Sequence, residues 1–445
     1  MTVAASRSDQ LLAFAQAHAR FATTLPGGAG WRARRAEALA RFSKLGMPTQ
    51  RDESWKYSPL RLLEKRLLEI PDPGPVPLAT DTVESSRLVL DDVHTLVFAN
   101  GRLMPSLSDA LAADTGLRCQ PLAEALSRRP RELLDRITIA DDSADDRLAL
   151  LNLAFLADGA TVSVSPGTSA AALYLLFLSS GSGRSCHPRL VVDAGTGARL
   201  RIIEHHVGVG GDETLSNGVT DIRLDEGAEL EHVLLIEGSQ RSVVLNSIFA
   251  QASATSRLSQ YRVLISGLHS RASLHAALLG RDSTVEANSL VLADQREHLE
   301  IHSVIEHRAG HTCSTERFRG IASDRSRGVF NGRIVVHPGA AKSESQQSSR
   351  TLLLSEQAEM YARPQLEILT DDVKCSHGAT TGRLDPNILF YLLSRGLDAA
   401  TARALLIRAF LADALAHVQS AALRLELERR IARALPRSQQ LGDLV

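Results

Sequence analysis

A cysteine and a histidine stand two residues apart near the end of the chain, in DDVKCSHGATTGRLDPNILFYLLSRGL (residues 371–397). If this stretch begins as a β-strand, the Cys375 thiol and the His377 imidazole share one face, while Lys374 and Ser376 point the other way. Thiolate and neutral imidazole are both ligands for iron and for iron–sulfur clusters. A cluster usually takes about four protein ligands, so a functional site here needs further ligands from another chain. The alternative is that this isolated C-x-H pair is structural.

Histidines and glutamates also alternate in QREHLEIHSVIEHRAGH, residues 295–311. On a strand, His298, Glu300 and His302 would share one face and could hold a divalent metal. The alternative is a polar face of the sheet with hydrogen-bonded imidazoles. We favour this alternative because no cysteine or carboxylate spacing here matches a recurrent metal site.

Two further stretches resemble catalytic motifs but lack their spacing. GAAKS at residues 339–343 resembles the end of a phosphate-binding loop, which needs glycine where this chain has Val336 and Ala341. GSGRSCH at residues 181–187 lacks the Gly-x-Ser-x-Gly spacing of a nucleophile elbow. We therefore expect no nucleotide hydrolysis by this chain, and a turn at GSGRSCH.

Composition excludes several classes of protein. The 445 residues carry 50 Lys and Arg against 51 Asp and Glu, which argues against nucleic acid as a partner. An aromatic content of 4% argues against stacking surfaces for sugars or bases. The longest apolar run, Ala170–Leu178, is too short to span a membrane. With no secretory signal and no C-x-x-C among the four cysteines, we expect a cytoplasmic protein with reduced thiols.

The elements that must position these residues are short strands. No proline occurs from Arg189 to Val336, although the chain has 16. Because proline cannot donate a backbone hydrogen bond, this stretch suits a continuously paired sheet. It contains short runs rich in Val, Ile and Leu, separated by Gly, Asp, Ser or Asn, such as LVVDA, RLRIIEHHV and LEHVLLIEG.

A weak internal repeat predicts how these strands are arranged. GTGARLRI, DEGAELEHV and ATSRLSQYRV align so that Leu200, Leu230 and Leu258 fall 30 and 28 residues apart. Regular modules of this length predict stacked coils, so we expect a mainly β fold with a β-helix (β-solenoid) core. The three leucines would then occupy equivalent inward positions. An antiparallel sandwich is the alternative, although it rarely holds so many strands in one domain.

Helical segments flank the predicted core. Residues 1–85 indicate an N-terminal helical domain that ends in a linker with four prolines between residues 71 and 77. Residues 86–384 would hold a mixed lead-in and the β-helix core, and residues 385–445 a C-terminal helical domain. The simplest interpretation of the C-terminal helices is a bundle that caps the last coil of the sheet, although any helix left without neighbours in this chain would be free to bind a partner.

Start and stop signals punctuate the C-terminal region. Asp385 is a natural N-cap, Pro386 suits the first helical position, and Gly396 would follow the last turn. A second helix would begin at Asp398.

Several of these stretches carry a family resemblance. RPQLEILTDDVKCSHGATTGRLDPNILFYLLSRGL closely resembles the signature of the SufB/SufD family of iron–sulfur cluster assembly proteins. GVFNGRIVVHPGAAKSESQQSSRTLLLS matches the family segment just upstream, and ALLNLAFLADGATVSV fits the start of the family core.

The same comparison indicates the branch. SufB-like chains carry a cysteine before the P-x-L-E-I element and a His-Glu pair in the signature. Here TLLLSEQAEMYARPQLEI has no cysteine, and His377 is followed by Gly378. DESWKYSPL resembles the N-terminal Trp-x-Tyr stretch of the SufD branch. The chain is therefore similar to SufD and not to SufB.

The resemblance implies an architecture and a set of partners. The family has a right-handed parallel β-helix core between N-terminal and C-terminal α-helical domains. SufD pairs with SufB through the β-helix, and each binds one SufC ATPase through its C-terminal helical domain. ATP-driven SufC dimerisation is thought to shift the SufB–SufD interface and expose the assembly site.

The resemblance also implies a role for the C-x-H pair. This chain would be a non-catalytic subunit, with the ATPase activity in SufC. His377, with Cys375 close by, would be the candidate site for a transient iron–sulfur cluster shared with SufB. A reduced flavin in the complex is compatible with the family, and the cluster type stays open.

Two other functions compete with this interpretation. A carbohydrate-active β-helix enzyme would need a groove with paired carboxylates and aromatic platforms, which the low aromatic content disfavours. A structural adaptor would have the same fold, with Cys375 and His377 that never contact metal.

Overall fold

The computed structural model of the chain describes residues 7–59, 78–109, 116–137 and 147–435. The four prolines of the predicted linker lie outside these described ranges.

Helices lie towards both ends of the chain. In order, the α-helices of the described residues are α1 (Arg7–Phe21), α2 (Gly28–Leu45), α3 (Thr80–Ser86), α4 (Leu122–Arg128), α5 (Pro130–Arg136), α6 (Arg147–Ala154), α7 (Pro386–Ser394), α8 (Ala399–Leu415) and α9 (Ala421–Ala434). Short 3-10 helices occupy Glu53–Trp55 and Pro105–Leu107.

The strands fill the middle of the chain. A lead-in comprises β1 (Val93–Ala99), β2 (Arg102–Leu103), β3 (Leu117–Pro121), β4 (Gly159–Val164), β5 (Ala172–Ser179) and β6 (Arg184–Cys186). The regular part comprises β7 (Arg189–Ala194), β8 (Arg199–Gly208), β9 (Thr214–Leu224), β10 (Glu229–Glu237), β11 (Val243–Ala252), β12 (Arg257–Ser266), β13 (His269–Leu278), β14 (Thr284–Ala293), β15 (His298–His307), β16 (Cys313–Ala322), β17 (Arg327–Val336), β18 (Glu344–Leu353), β19 (Glu359–Ile368) and β20 (Lys374–Gly382).

These strands stack as a solenoid of two sheets. Sheet A has the order β19-β17-β15-β13-β11-β9-β7-β4-β3, and sheet B has the order β2-β1-β5-β8-β10-β12-β14-β16-β18-β20. From β7 onward each coil adds one strand to each sheet, in parallel with the strand of the previous coil. About eight coils form the core. The predicted parallel β-helix is confirmed, and the antiparallel sandwich is wrong.

Aliphatic side chains fill the interior between the two sheets. Leu230 pairs in register with Leu200 on one side and with Leu258 on the other, and each is no more than 5% exposed. The predicted equivalence of these three leucines is confirmed. The same inward column continues through Val285, Ser314 and Ser345 and ends at Cys375.

The last coil leaves both sheets with a free edge. Among the described residues, β19 pairs only with β17 and β20 only with β18. Pro364 lies within β19, which agrees with the restriction of proline to edge strands. Nearly every residue of β20 is exposed, unlike the strands of the preceding coils. The end of the solenoid that carries the C-x-H pair is therefore open.

The C-terminal helices do not cap this open end, contrary to our expectation. Helices α8 and α9 lie along the outer face of sheet B, where Leu411 and Leu427 join an apolar cluster with Ile203 and Val233. Arg319 Nε donates to Asp413 Oδ2 at 2.7 Å across the same contact. The physical reason is that this face carries outward aliphatic residues over many coils, which only a lengthwise helix can bury.

The N-terminal helices cover the opposite side of the solenoid. Trp31 and Phe42 of α2 pack with residues of α4–α6 and with Val243 and Leu245 on the outer face of sheet A. Helices therefore lie on both outer faces of the solenoid, and none of the α-helices in the described ranges lies over its last coil.

The helix-capping residues predicted from the sequence are found at the ends of the C-terminal helices. Asp385 Oδ1 accepts a hydrogen bond from Asn387 N, and Pro386 is the first residue of α7. Gly396 has φ of +90°, which suits glycine after a helix. Asp398 caps α8 by accepting from Ala400 N and Thr401 N.

Candidate functional site

Cys375 and His377 lie on the edge strand β20 at the open end of the solenoid. Cys375 packs against the interior cluster, so the shared face of i and i+2 residues is the inward face. Lys374 points outward, where its Nζ donates to Glu344 Oε1 at 2.8 Å. The alternation expected from the sequence is therefore present in the strand.

The two side chains differ in how far the solenoid covers them. Cys375 is half-buried and rests on Ser345 of the strand beneath, whereas His377 is exposed. Burial raises the pKa of the Cys375 thiol, against a smaller lowering by the Ser345 backbone. At neutral pH the isolated chain therefore presents a protonated thiol beside an accessible imidazole.

This pair does not form a metal site by itself. Across the described ranges, the grouping of three His, Cys, Asp or Glu ligand atoms consists of His269, His298 and Glu300, and excludes Cys375 and His377. Two ligands are too few for a stable cluster, which usually takes about four.

The predicted face with His298, Glu300 and His302 exists, and it is buried. The Nε2 atoms of His298 and His302 lie 2.9 Å from the two oxygens of Glu300. The structure adds Arg271 Nη1 and Ser58 Oγ, which donate to Glu300 Oε2 at 3.1 and 2.7 Å. The carboxylate is thus already surrounded by donors, as in the hydrogen-bonded interpretation.

The pKa shifts in this cluster agree with one ionised carboxylate held by the groups around it. Burial alone would raise the pKa of Glu300, but His298, His269 and His302 hold it well below its usual range. Burial and the Arg271 charge lower the pKa of His302 to about 4. With Arg271 beside the carboxylate, the cluster favours a structural brace over a cation site.

The segment that covers this cluster is the one containing Trp55 and Tyr57. The Arg271 guanidinium lies 3.8 Å from the centroid of the Trp55 ring, and Tyr57 stacks on Tyr361 of β19 at 4.7 Å. Segment 53–58 therefore links the N-terminal region to the last coils of sheet A. The sequence shows the aromatic residues but carries no signal for partners that lie more than 200 positions away.

Sequence reasoning also missed a polar column inside the solenoid. Glu316 and Gln347 stand in register beneath His377, at positions 31 and 30 residues apart. This spacing equals one coil, so the repeat of the leucines, extended to polar residues, could have found them.

The two discarded motifs lie in a turn and in a turn followed by a short strand. GAAKS is the turn between β17 and β18, where Lys342 Nζ pairs with Asp372 Oδ2 at 2.5 Å. GSGRSCH includes the short strand β6 and a turn before it. Cys186, in that stretch, is buried, and burial raises its thiol pKa.

In the part of the chain that the structure describes, no helix is long and apolar enough to cross a membrane.

Comparison with known proteins finds relatives over most of the chain. The family model "SUF system FeS cluster assembly, SufBD core domain" matches residues 177–410. The iron–sulfur cluster assembly protein SufD of Escherichia coli (strain K12) is 30% identical over 407 residues, covering 89% of this chain and 92% of that protein. The SufBD family protein slr0076 of Synechocystis is 29% identical, covering 88% of each chain. The chloroplastic protein ABCI7 of Arabidopsis thaliana is 27% identical, covering 82% of this chain and 77% of that protein.

Proposed function

The chain belongs to the SufD branch of the SufB/SufD family of iron–sulfur cluster assembly proteins, and on that premise we propose that it shares a cluster-assembly site with SufB. In this proposal it is a non-catalytic SufD-type subunit in the cytoplasm. It pairs with SufB through the β-helix and docks the SufC ATPase through its C-terminal helices.

The observation that carries the proposal is the position of Cys375 and His377. Both lie on the inward face of an open edge strand, where a second chain can complete a ligand set. The nascent cluster is the substrate of the complex, and its iron would be bound by His377 and by ligands of the partner. Imidazole is the better placed ligand because it is exposed, whereas the half-buried thiol has a raised pKa.

The free edges of the last coil support pairing with another β-helix. As edge strands, β19 and β20 have outer backbone N–H and C=O groups that no other described strand pairs with. Ile368 and Leu369 at the end of β19 are 45% and 51% exposed. A second solenoid that continues both sheets would satisfy the backbone groups and bury these side chains. The same contact would place the partner's residues over His377.

The C-terminal helices support docking of a further protein. Among the described residues, no side chain of helix α7 is fully buried, and the helix exposes apolar residues on its surface, among them Ile388, Phe390, Tyr391 and Leu393. Beside it, a groove of about 770 Å³ runs between the solenoid edge and α8, lined by residues that include Leu389 and Ile407. We assign this surface to SufC, whose nucleotide site would supply the ATPase activity.

A reduced flavin in the complex is compatible with the family, and we assign no residue of this chain to it.

The test is complementation of a strain that lacks this gene, grown under iron limitation, with three versions of the protein. His377→Ala should fail to restore growth, because it removes the imidazole from the shared site. Ser376→Ala is the matched control, since Ser376 is the exposed neighbour on the opposite face of β20. Gel filtration should show that both variants still assemble with SufB and SufC. Full growth of the His377→Ala strain would mean that His377 is structural, as in the adaptor hypothesis.

A further inference from the structure

The residue directly beneath His377 is a buried glutamine with an unused hydrogen-bond acceptor. In the parallel register of β18 and β20, Gln347 is paired with His377, so both side chains face the interior. Gln347 is 1% exposed. Its Nε2 donates to Glu316 Oε2 at 2.7 Å, but its Oε1 has no partner among the described residues. A buried polar atom without a partner is costly, so this one requires an explanation.

The orientation of this amide is determined by the chemistry below it. Glu316 is fully buried and also accepts hydrogen bonds from Ser303 Oγ and from Arg262 Nη2, the latter at 3.3 Å. A flipped amide would place Gln347 Oε1 against the Glu316 carboxylate, acceptor against acceptor. Nε2 must therefore face Glu316, which leaves Oε1 as the acceptor available to the next rung, the one that carries His377.

The opposite sheet of the solenoid leaves space for the side chains of Gln347 and Glu316. A Cβ at Gly332, on β17, would lie 2.3 Å from Gln347 Nε2 and 2.8 Å from Glu316 Oε2. The backbone of Gly332 is not in the left-handed region, so glycine is required there for space and not for conformation. The interior at this level is therefore shaped around the Gln347–Glu316 contact.

We propose that Gln347 is a positioning residue for His377. With the imidazole turned inward over Gln347, the unpartnered Oε1 would accept the N–H of one ring nitrogen, which would leave the other nitrogen unprotonated and free to bind iron of the shared cluster. Metal-binding histidines commonly donate their second N–H to a carbonyl or carboxylate, which selects the tautomer and the ring orientation. Glu316, held by Arg262 and Ser303, fixes Gln347 in turn. The inference rests on the proposed function, because it assigns a purpose to the imidazole of that site.

The direct test is the tautomer of His377 in the full-length chain. Long-range ¹H–¹⁵N correlation on ¹⁵N-histidine-labelled protein at pH 8 reports which imidazole nitrogen carries the proton. The His377 signals are identified by their loss in His377→Ala. We expect one strongly dominant tautomer in the wild type, and the ratio of an unstructured histidine peptide in Gln347→Met, which keeps the side-chain length but removes the acceptor. Gln346→Met is the matched control, because Gln346 is the exposed neighbour on the outward face.

A second variant keeps the test decisive if Gln347→Met does not fold. Gly332→Ala retains every polar group but displaces the Gln347 amide, so it should also loosen the tautomer preference of His377. An unchanged tautomer ratio in the folded variants would overturn the positioning role.

The assembled complex provides an independent readout. With SufB and SufC present, Gln347→Met should lower cluster content by about 10-fold or more, because removing the hydrogen-bond partner of a metal-binding histidine typically has an effect of this size, and Gln346→Met should not. The tautomer ratio tests the positioning role of Gln347, and the cluster content of the complex tests the proposed function separately. An unchanged tautomer overturns the positioning role, whereas normal cluster content in His377→Ala overturns the proposed function beneath it.

Discussion

Cys375 and His377 share a face of β20, but their surroundings give them unequal reactivity. The thiol is half-buried against the interior cluster, and burial raises its pKa. A protonated thiol is a poor ligand for iron, since the thiolate is the binding form. The imidazole of His377 is exposed and therefore accessible to a partner chain.

Because the thiol and the imidazole differ in their surroundings, alanine substitutions of Cys375 and His377 should impair cluster formation to different extents. His377→Ala should impair cluster formation in cells more than Cys375→Ala does, because the thiol must first lose a proton that burial holds. The measurement is the growth of complemented strains under iron limitation, with equal protein amounts verified in each strain. Equal defects in the two strains would contradict the assignment of His377 as the main ligand of this chain.

Buried histidines predict how stability depends on pH. Burial lowers the pKa to about 3 for His187 and to about 4 for His302 and His307, against 6.5 in the unfolded chain. As pH falls below 6.5 the unfolded state takes up these protons first, so the free energy of unfolding decreases towards pH 4. Burial raises the pKa of Glu297 to about 7, so the folded state takes up this one proton before the unfolded state does. Glu297 therefore stabilises the fold as pH falls, which offsets part of the histidine effect.

The check is the urea midpoint of unfolding, which should be lower at pH 5.5 than at pH 7.5. His307→Asn should reduce this pH dependence, whereas His417→Asn, at an exposed position, should not alter it. Equal midpoints at the two pH values in the wild type would show that these histidines are not held neutral in the folded state.

At the scale of elements, the strands follow from simple rules and the helix positions do not. The absence of proline and the leucine spacing predicted the paired coils, since both depend on local chemistry and period. The site of helix docking depends on which outer face stays apolar over several coils, as Ile203 and Val233 show for sheet B. No local pattern in α8 or α9 contains that information.

Polar residues inside the solenoid were also beyond sequence reasoning. Glu204 looks like a solvent-facing residue in RLRIIEHHV, yet it lies in the interior. There its oxygens contact His206 and His232 at 2.7 and 3.0 Å and accept a hydrogen bond from Thr220 Oγ1. Such a network satisfies a buried carboxylate only through residues from several coils. The C-x-H pair could be predicted because one strand contains it, whereas Gln347 and Glu316 required the register.

The inward leucine column gives a quantitative prediction. Leu230→Ala removes a side chain that is 2% exposed and packed between two neighbouring rungs, so it should lower the free energy of unfolding by about 2–5 kcal/mol. Leu279→Ala is the control, because Leu279 is 45% exposed, and surface changes usually cost less than about 0.5 kcal/mol. Chemical denaturation measures both, and similar losses for the two variants would contradict the inward register.

Helix α7 gives a prediction about SufC. Phe390 is 72% exposed on an apolar helix surface, so Phe390→Asp should weaken SufC binding at least tenfold without changing the fold. Val89→Asp places the same charge on a residue that is 74% exposed outside the C-terminal region, and it should bind SufC normally. Titration of purified SufC against each variant measures the affinity. Loss of SufB binding with normal SufC affinity in Phe390→Asp would reassign this surface.

At the scale of the whole molecule, the outer faces of the solenoid and its last coil differ in how the rest of the chain packs on them. Helices cover both outer faces, and segment 53–58 is fastened to the last coils through Trp55 and Tyr57. Near this segment, no other strand of the described ranges pairs with the outer edges of β19 and β20. A rigid coil with free edges is suited to hold His377 in a defined place while another chain supplies the remaining ligands.

The most direct test of the shared site is iron and acid-labile sulfide analysis under nitrogen, on the chain purified alone and on the complex with SufB and SufC. We expect little or no stable cluster on the isolated chain, and a cluster in the wild-type complex that is strongly reduced in His377→Ala but retained in Ser376→Ala. A stable cluster on the isolated chain, or an undiminished one in the His377→Ala complex, would contradict a site shared through His377.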